Sequence, residues 1–570
     1  MELIHRGDLL FSTRRVLNSL WQATAEQFYP EHADFTYTRS AGMEFASHLM
    51  TGAPAMANRD LANAIAAMSR PPGQIWFHPR TTSEAINKDS TARRWLDYAG
   101  NIMRQIMYAP MSGFNRASME TDRSFACIGN GCLRIRPNHD FTGLSFRSRH
   151  MRDCAWAEDI DGFVNEIHVK DTTTNRNLFA RFPKTVSSRV KDHAESDPHG
   201  KVNIRYIILP SDEYDSPDAN KEMGPKGVKK RVGHRLRFVS VILDTDNDTV
   251  LEEIGQHDLG YVTPRWVTVP GFGYGYSPAT VINIADARML QQITLTLLEA
   301  GQKAVDPPMQ AVGTDIIAGG VNLFAGGITW IDSDYDERSG PALKPVLATN
   351  PNLGWGVDRE NRIKDLIHAG HFLNQIKLPD TTHARTAYEV QKLWEEYIRA
   401  TTPLFEPIGA EYNSPMCDRI FDMLLRFNAF GPKANIPRIL LGQDVRFEFE
   451  SPLTLAASKA NAQAFTSVGQ ITQLAVSMDP TVIHDLDLDT AYRDALDGAG
   501  APATWIVPRR QADQEKAKAR QQLAQQQALA QAGAIAHSGA ELAGKIGNAA
   551  TMLQQGGAMP PQAPQQGGMI

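Results

Sequence analysis

Two long helical stretches separated by a proline- and glycine-rich excursion constrain this chain more than any other feature. Gly271, Gly273 and Gly275 alternate with Phe272, Tyr274 and Tyr276, and Ser277-Pro278 then opens a run free of glycine and proline from Ala279 to Ala300. Ser277 fits an N-cap and Pro278 the first helical position, where the N–H that proline lacks would have no partner anyway. Ile282, Met289, Ile293 and Leu297 fall on one helical face, with Leu290 and Leu298 beside them. A second helix is expected from about Asp358 to near Pro379, with Ile363, Leu366, Ile367, Leu373 and Ile376 on its apolar side. Asp306 to Gly356 carries strand-like pieces, notably Ile328 to Ile331, so two helices flank a compact insert.

The preceding chain divides into a helical and a β-rich part. Val16, Leu20, Ala23 and Gln27-Phe28 recur near helical spacing until Pro30. A second helical run carries Phe45, Leu49 and Met50 and then Leu61, Ile65 and Met68, stopping at Pro71-Pro72-Gly73 before an extended Ile75 to Phe77. Trp95 to Ile106 reads as a further helix. From Ala126 to Leu209 short β-rich runs follow one another (Cys132 to Ile135, Gly143 to Phe146, Phe163 to Val169, Arg205 to Leu209), separated by turn residues. The polar stretch Ser211 to Lys230 reads as an exposed loop before strands at Leu236 to Leu243 and Trp266 to Val269. After the second long helix, Thr386 and Glu389 make a T-x-x-E capping box opening a third helical region. Pro403, Pro407 and Pro415 should kink or break it before Ile420 to Phe427. A strand at Arg446 to Glu450 and helices from Ser451 follow. Gln511 to Ala536 is a good helix with little apolar surface, and Gly556 to Ile570 is low-complexity.

At 570 residues the chain exceeds the size of a single core, so several structural units are expected. Apolar residues at 42% and charged residues at 21% match a folded globular protein. No run approaches the roughly 18 apolar residues of a membrane span, and the first residues carry Glu2 and Asp8, so the chain reads as neither secreted nor membrane-embedded. Cys127, Cys132, Cys154 and Cys417 are too scattered for a disulfide framework and read as free thiols; Cys127 and Cys132 lack the second pair that a zinc site needs. The formal net charge of −6 does not suit a protein that grips nucleic acid by counterion release, although it permits a conduit past which DNA slides.

Enzyme signatures fail on spacing. No G-x-x-x-x-G-K-[ST] is present, Gly224 to Lys230 has the wrong spacing, and Gly271, Gly273 and Gly275 do not meet G-x-G-x-x-G. Asp485, Asp487 and Asp489 alternate and would chelate a divalent ion if extended, which makes a metal-dependent nuclease the alternative from another class. Interleaved Leu486 and Leu488 and the helical run after Thr490 favour carboxylates of a loop and helix start. A virion adhesion or scaffold protein without a channel is a third reading.

Taken in order, the landmarks resemble the head-to-tail connector (portal) family of short-tailed phages. Trp21 with Phe28 and Pro30, then Gly42, Ala46 and Leu49 leading to Pro71-Pro72 and Trp76-Phe77, resemble its opening segments; Ser112, Phe114, Asn115 and Gly129-Asn130-Gly131 resemble its next block. The most specific pieces are Gly273-Tyr274-Gly275 with Ser277-Pro278-Ala279, Asp306-Pro307-Pro308, Arg385-Thr386-Ala387 with Glu389-Val390, and Ser451-Pro452-Leu453. The resemblance implies an α+β ring subunit with mainly helical wing, stem and crown, a β-rich wing subdomain and a small α/β clip. Residues 1–276 would be the wing, 277–304 the first stem helix, 305–356 the clip and 357–378 the second stem helix. Residues 379–386 would be the tunnel loop, 387–450 a kinked wing helix and strand, 451–510 the crown, 511–555 a helical tail and 556–570 a disordered tail.

The same resemblance implies a function: a ring of about twelve copies at one capsid vertex, through which duplex DNA is packaged and ejected. Its partners would be terminase and then tail or adaptor proteins at the clip, with major capsid and scaffolding proteins around the ring. It would be assembled in the bacterial host cytoplasm, with no catalytic residue, cofactor, metal or membrane span. Lys377, His383 and Arg385 are its candidate DNA-facing residues. Asp286, Arg288, Gln292, Arg362, Lys364 and Lys377 are polar candidates on the stem helices, where a solvated outer face is the alternative for each.

Overall fold

The computed structural model describes residues 2–40, 42–87, 89–138, 143–214, 236–305, 353–376, 408–432 and 435–449, with short pieces between 309 and 345 and between 396 and 526. Helix α1 (Glu2–Thr13) leads into α2 (Arg15–Phe28), which stops at Tyr29 because a residue before proline is driven out of the helical region; Tyr29 has φ −147°. The inward stripe of α2 is Leu17, Trp21, Ala25 and Phe28, whereas Val16, placed on that stripe by spacing, is 84% exposed. Trp21 sets the phase, since it has the most area to bury.

Helix α3 (Ala53–Ser69) begins later than the sequence suggested. Residues 45–50 are turns, with Phe45 and Met50 exposed. The Met50 and Thr51 N–H groups donate instead to the Gln291 side-chain oxygen, at 2.7 and 3.0 Å, and Gln291 Nε2 returns a bond to the Thr51 carbonyl at 2.9 Å. Helix α4 (Ser90–Met107) is capped by Asp89, which accepts from the Thr91 and Ala92 N–H groups. Helix α5 (Phe114–Ile128) runs between Gly113 and Gly129, both left-handed, and is buried on several sides. Cys127 and Ile128 join a core with Trp21, Phe28 and Trp156, while Phe125 and Ala126 join a second core with Trp76, Phe77 and Tyr412.

A helix lying between two cores can carry a charge only if that charge is paired. Asp122 of α5 is 1% exposed and receives both Arg70 Nη2 bonds, at 2.5 and 2.6 Å; Arg70 Nη1 donates to Asn413 and the guanidinium sits 4.4 Å from the Tyr412 ring centre. Burial alone would lower the Arg70 pKa, but attraction to Asp122 outweighs it and keeps Arg70 charged.

Strand β1 (Phe77–Thr81) stands apart from the two main sheets. The first of these is three-stranded: β2 (Leu133–Pro137) lies between β3 (Leu144–Ser148) and β9 (Tyr261–Val262). The second is a five-stranded antiparallel meander of β4 (Cys154–Glu158), β5 (Val164–Thr174), β6 (Lys201–Pro210), β7 (Phe238–Asp244) and β8 (Thr249–Gln256). The sequence reading located β2, β3, β5, β6 and β7. It missed β4, whose Cys-Ala-Trp-Ala-Glu has little β-propensity. It also missed α6 (Asn175–Arg181) and α7 (Ser188–Ser196), which are too short for a periodic signal and are declared only by their caps Thr174 and Ser187. Of the loop expected at Ser211 to Lys230, residues 211–213 form a single turn and 215–230 lie outside the described residues.

The long helices form an antiparallel pair. Helix α8 (Ile284–Val305), 22 residues or roughly 33 Å long, packs on α9 (Leu353–Gly370), so that Asn283 meets Ile367 and His371, Thr294 meets Glu360, and Leu297 lies against Gly356. Ala287 and Leu290 face Ile363 and Ile367. Ile282 and Met289, expected inside, are 55% and 42% exposed. Ile282 lies within a π-turn at Ala279–Asn283, and the inward positions are taken instead by Asn283, Ala287 and Leu290. Helix α9 starts before Asp358 and stops at Gly370, broken by His371 and the left-handed Phe372 (φ +58°) before a single turn at Leu373–Ile376. Between the helices, 309–311 pairs with 343–345 and 317–318 with 330–331, both antiparallel.

Helix α10 (Ser414–Arg426) continues from a π-turn at Gly409–Asn413. Pro415 therefore does not break the chain as its residue type suggested: the wide turn gives its ring room and leaves no N–H wanting a partner. Strand β10 (Val445–Phe449) closes the described body by pairing with β1. No helix among the described residues is long and apolar enough to cross a membrane.

Candidate functional site

The helix pair is rooted where two glycine-containing segments, distant in sequence, dock backbone to backbone. Asn130 Nδ2 donates to the carbonyls of Gly275 (2.7 Å) and Ile128 (3.0 Å), while its Oδ1 accepts the Gly275 N–H at 2.8 Å. The Trp266 N–H donates to the Gly129 carbonyl, and the Gly131 N–H to that of Pro264. Side chains cannot intrude here. A Cβ on Gly129, whose φ is +75°, would lie 2.5 Å from Ser277 N, and one on Gly275 would lie 2.7 Å from the Gly129 carbonyl oxygen. Gly273 serves the same junction, its carbonyl accepting from Trp156 Nε1 at 2.8 Å.

Ser277 and Pro278 occupy the positions their residue types require. Ser277 Oγ donates to the Cys127 carbonyl at 2.6 Å and accepts the Thr280 N–H at 3.3 Å, the bond of an N-cap. The start of the α8 helix is thereby tied to the end of α5. Arg265 adds a charged tie: it holds Glu411 with two bonds, at 3.1 and 2.9 Å, pairs with Glu158 and donates to the Gly162 carbonyl.

Deeper in the pair, Asn283 Nδ2 donates to the Ile367 carbonyl at 3.0 Å and lies 2.5 Å from His371 Nδ1, itself 3.0 Å from that carbonyl. Both side chains are fully buried, and burial pushes His371 down to about 4. The folded state thus prefers neutral imidazole, so this contribution is full above about pH 6.5 and is lost as pH falls from there towards 4. It amounts to about 3 kcal/mol. Denaturant unfolding at pH 7.5 and 4.5 should show that the His371→Gln chain lacks this part of the acid loss; identical pH slopes in the two chains would contradict the assignment.

Of the residues singled out from sequence, Gly273, Gly275, Ser277 and Pro278 meet at this junction. Lys377, His383, Arg385, Pro307, Pro308, Thr386, Glu389 and Pro452 lie outside the described residues, as do Asp485, Asp487 and Asp489. Arg288, Gln292 and Arg362 are exposed, Asp286 is half-buried, and Lys364 pairs with Glu360 one turn away at 2.8 Å. The four cysteines are buried and free, and among the described residues no group of three or more His, Cys, Asp or Glu could hold a metal ion. Sequence reasoning missed Asn283, His371, Gln291 and Arg265; polar residues that bond across the fold carry no local spacing signal.

The polar groups of this junction are committed to one another and to backbone, the arrangement of a structural subunit that holds a long helix pair on a sheet-bearing body. Residues 2–507 match the family described as bacteriophage head to tail connecting protein, and the chain belongs to that family. It is a head-to-tail connector, a structural virion component rather than an enzyme. It is 25% identical over 561 residues to the probable portal protein of Bordetella phage BPP-1, covering 97% of this chain and 96% of that one. It is also 24% identical over 479 residues to the portal protein of Salmonella phage epsilon15, with 82% of each chain covered. Among solved structures, a chain in the virion of a native gene transfer agent particle aligns over 78% of this chain and 94% of its own, at 12% identity and a TM-score of 0.34.

Proposed function

We propose that this chain is one subunit of a closed ring at a capsid vertex, that the antiparallel α8 and α9 pair stands beside its copies as the wall of a channel, and that duplex DNA passes through it in packaging and ejection. The observation that carries this reading is the helix pair itself. Its inner stripe is satisfied within the chain, yet Val281, Ile282, Met289, Leu298 and Leu366 are exposed at 65, 55, 42, 53 and 50%. Exposed apolar side chains on more than one side of a helix pair are surface that neighbouring copies can cover. Head-to-tail contacts close such subunits into rings.

In this reading the insert between the helices is the clip, which docks the terminase motor during packaging and tail or adaptor proteins afterwards. Lys377, His383 and Arg385 are proposed to face the DNA, and assembly takes place in the host cytoplasm. Removing Asn322 to Ile331 should leave rings with the same number of subunits but abolish terminase capture. Intact capture in a pull-down would remove the clip from this role.

A further inference from the structure

Three features of the three-stranded sheet mark an excess of positive charge on one face. Arg134 and Arg136 of β2 and Arg147 of β3, followed by Arg149, gather on one face, and Arg134 lies directly opposite Arg147. Like charges placed opposite one another weaken a strand pair. Second, among the described residues only Asp171 pairs with these four arginines, through Arg149 at 2.6 Å. Third, Arg134 Nε, Arg136 Nη2 and Arg149 Nε are donors with no hydrogen-bond partner among the described residues. The Arg136 guanidinium lies 4.9 Å from the Tyr206 ring centre and 6.0 Å from that of Tyr261, and Arg149 lies 5.9 Å from Tyr206, so the cations share one aromatic floor. Burial and the neighbouring Arg149 lower Arg134 to about 10, a further sign of uncompensated positive charge.

The same chain carries the complementary object. The turn between β4 and β5 is held rigid by Asp159, whose Oδ1 accepts the Asp161 and Phe163 N–H groups at 3.0 and 2.9 Å and whose own N–H donates to the Phe163 carbonyl at 2.8 Å. That leaves a preformed tip with Ile160 completely exposed and Phe163 68% exposed, flanked by the carboxylates of Asp159 and Asp161. From Val164 to Asp171 the tip and the arginine cradle are separated by roughly 23 Å of β5. A protruding acidic tip and a basic face at separate places on one subunit are what a head-to-tail ring contact uses.

We propose that the arginine cradle seats the Asp159–Phe163 tip of a second copy of this chain, with the carboxylates meeting the guanidinium groups and Ile160 packing on the arginines' aliphatic stems. The proposal rests on the ring reading and names one of its contacts. Because the tip is already ordered, seating it costs little conformational entropy.

The test uses two exposed positions, Arg147→Glu and Asp161→Arg, in the full chain. Each single reversal should raise the protein concentration at which half the chains are in rings roughly tenfold, and the double reversal should bring it back to within about twofold. Thermal melts of the single variants should match the unmodified chain, separating assembly from folding. A chain with Arg147→Cys and Asp161→Cys should form a ladder of disulfide-linked oligomers when assembled rings are treated with oxidised glutathione. Rings with unchanged assembly in both single variants and no ladder would overturn this contact while leaving the ring intact. An unmodified chain that forms no ring would overturn both. Loss of duplex DNA binding by the Arg147→Glu chain, with assembly unchanged, would assign the cradle to phosphate and also overturn the proposal.

Discussion

Replacing Asn130 with alanine is expected to destabilise the folded chain by about 3–5 kcal/mol and to abolish ring assembly. The side chain makes three buried bonds, to both the N–H and the carbonyl of Gly275 and to the carbonyl of Ile128. Each buried backbone group left without a partner costs about 1–3 kcal/mol. Water cannot replace the lost amide easily, because the Gly129 and Gly275 backbones are already in contact. Asn130→Asp keeps an acceptor for the Gly275 N–H but turns carboxylate oxygens towards two carbonyls, so it should be at least as damaging. Denaturant unfolding reads the effect, and limited proteolysis should show cuts between α5 and the α8 helix first. A loss below about 1 kcal/mol in the alanine variant would mean that the clasp contributes geometry without energy.

The second large effect concerns Arg70 and Asp122, an ion pair at 2.5 Å whose side chains are 2% and 1% exposed. Arg70→Met or Asp122→Leu alone should cost about 3–5 kcal/mol, since either leaves a buried charge unpaired. The double variant should recover most of the loss, because two apolar side chains of similar size avoid the desolvation that the pair has to offset. Asn413 would lose one donor in that variant, which sets the residual cost. Additive losses in the double variant, measured by unfolding, would show that the pair is not coupled in the way its geometry requires.

What could be read from the sequence followed the range of the forces involved. The start of the first long helix was legible because capping is local: Ser277 and Pro278 act on the next few residues only. The phase of that helix was not, because it is set by the contacts of Ser277 with α5 and of Asn283 with α9, far away in sequence. Phe45, Leu49 and Met50 had helical spacing but no partner surface, and the backbone there bonds to Gln291 instead. Strands rich in Ile and Val, such as β6 and β7, declared themselves; β4, made of Cys, Ala, Trp and Glu, could not. The site shows the same division. Gly129-Asn130-Gly131 and Gly273 to Pro278 could each be noticed, but nothing in either segment says that they bind each other.

The central claim is that the α8 and α9 pair lines a channel in a ring of identical copies. Electron cryomicroscopy of the purified full-length chain tests it most directly. The account predicts closed rings of about twelve copies with a central hole wide enough for duplex DNA and two long helices per copy running along its wall. Rings whose hole is lined by the five-stranded sheet, or only monomers and compact small oligomers across protein and salt concentrations, would contradict it.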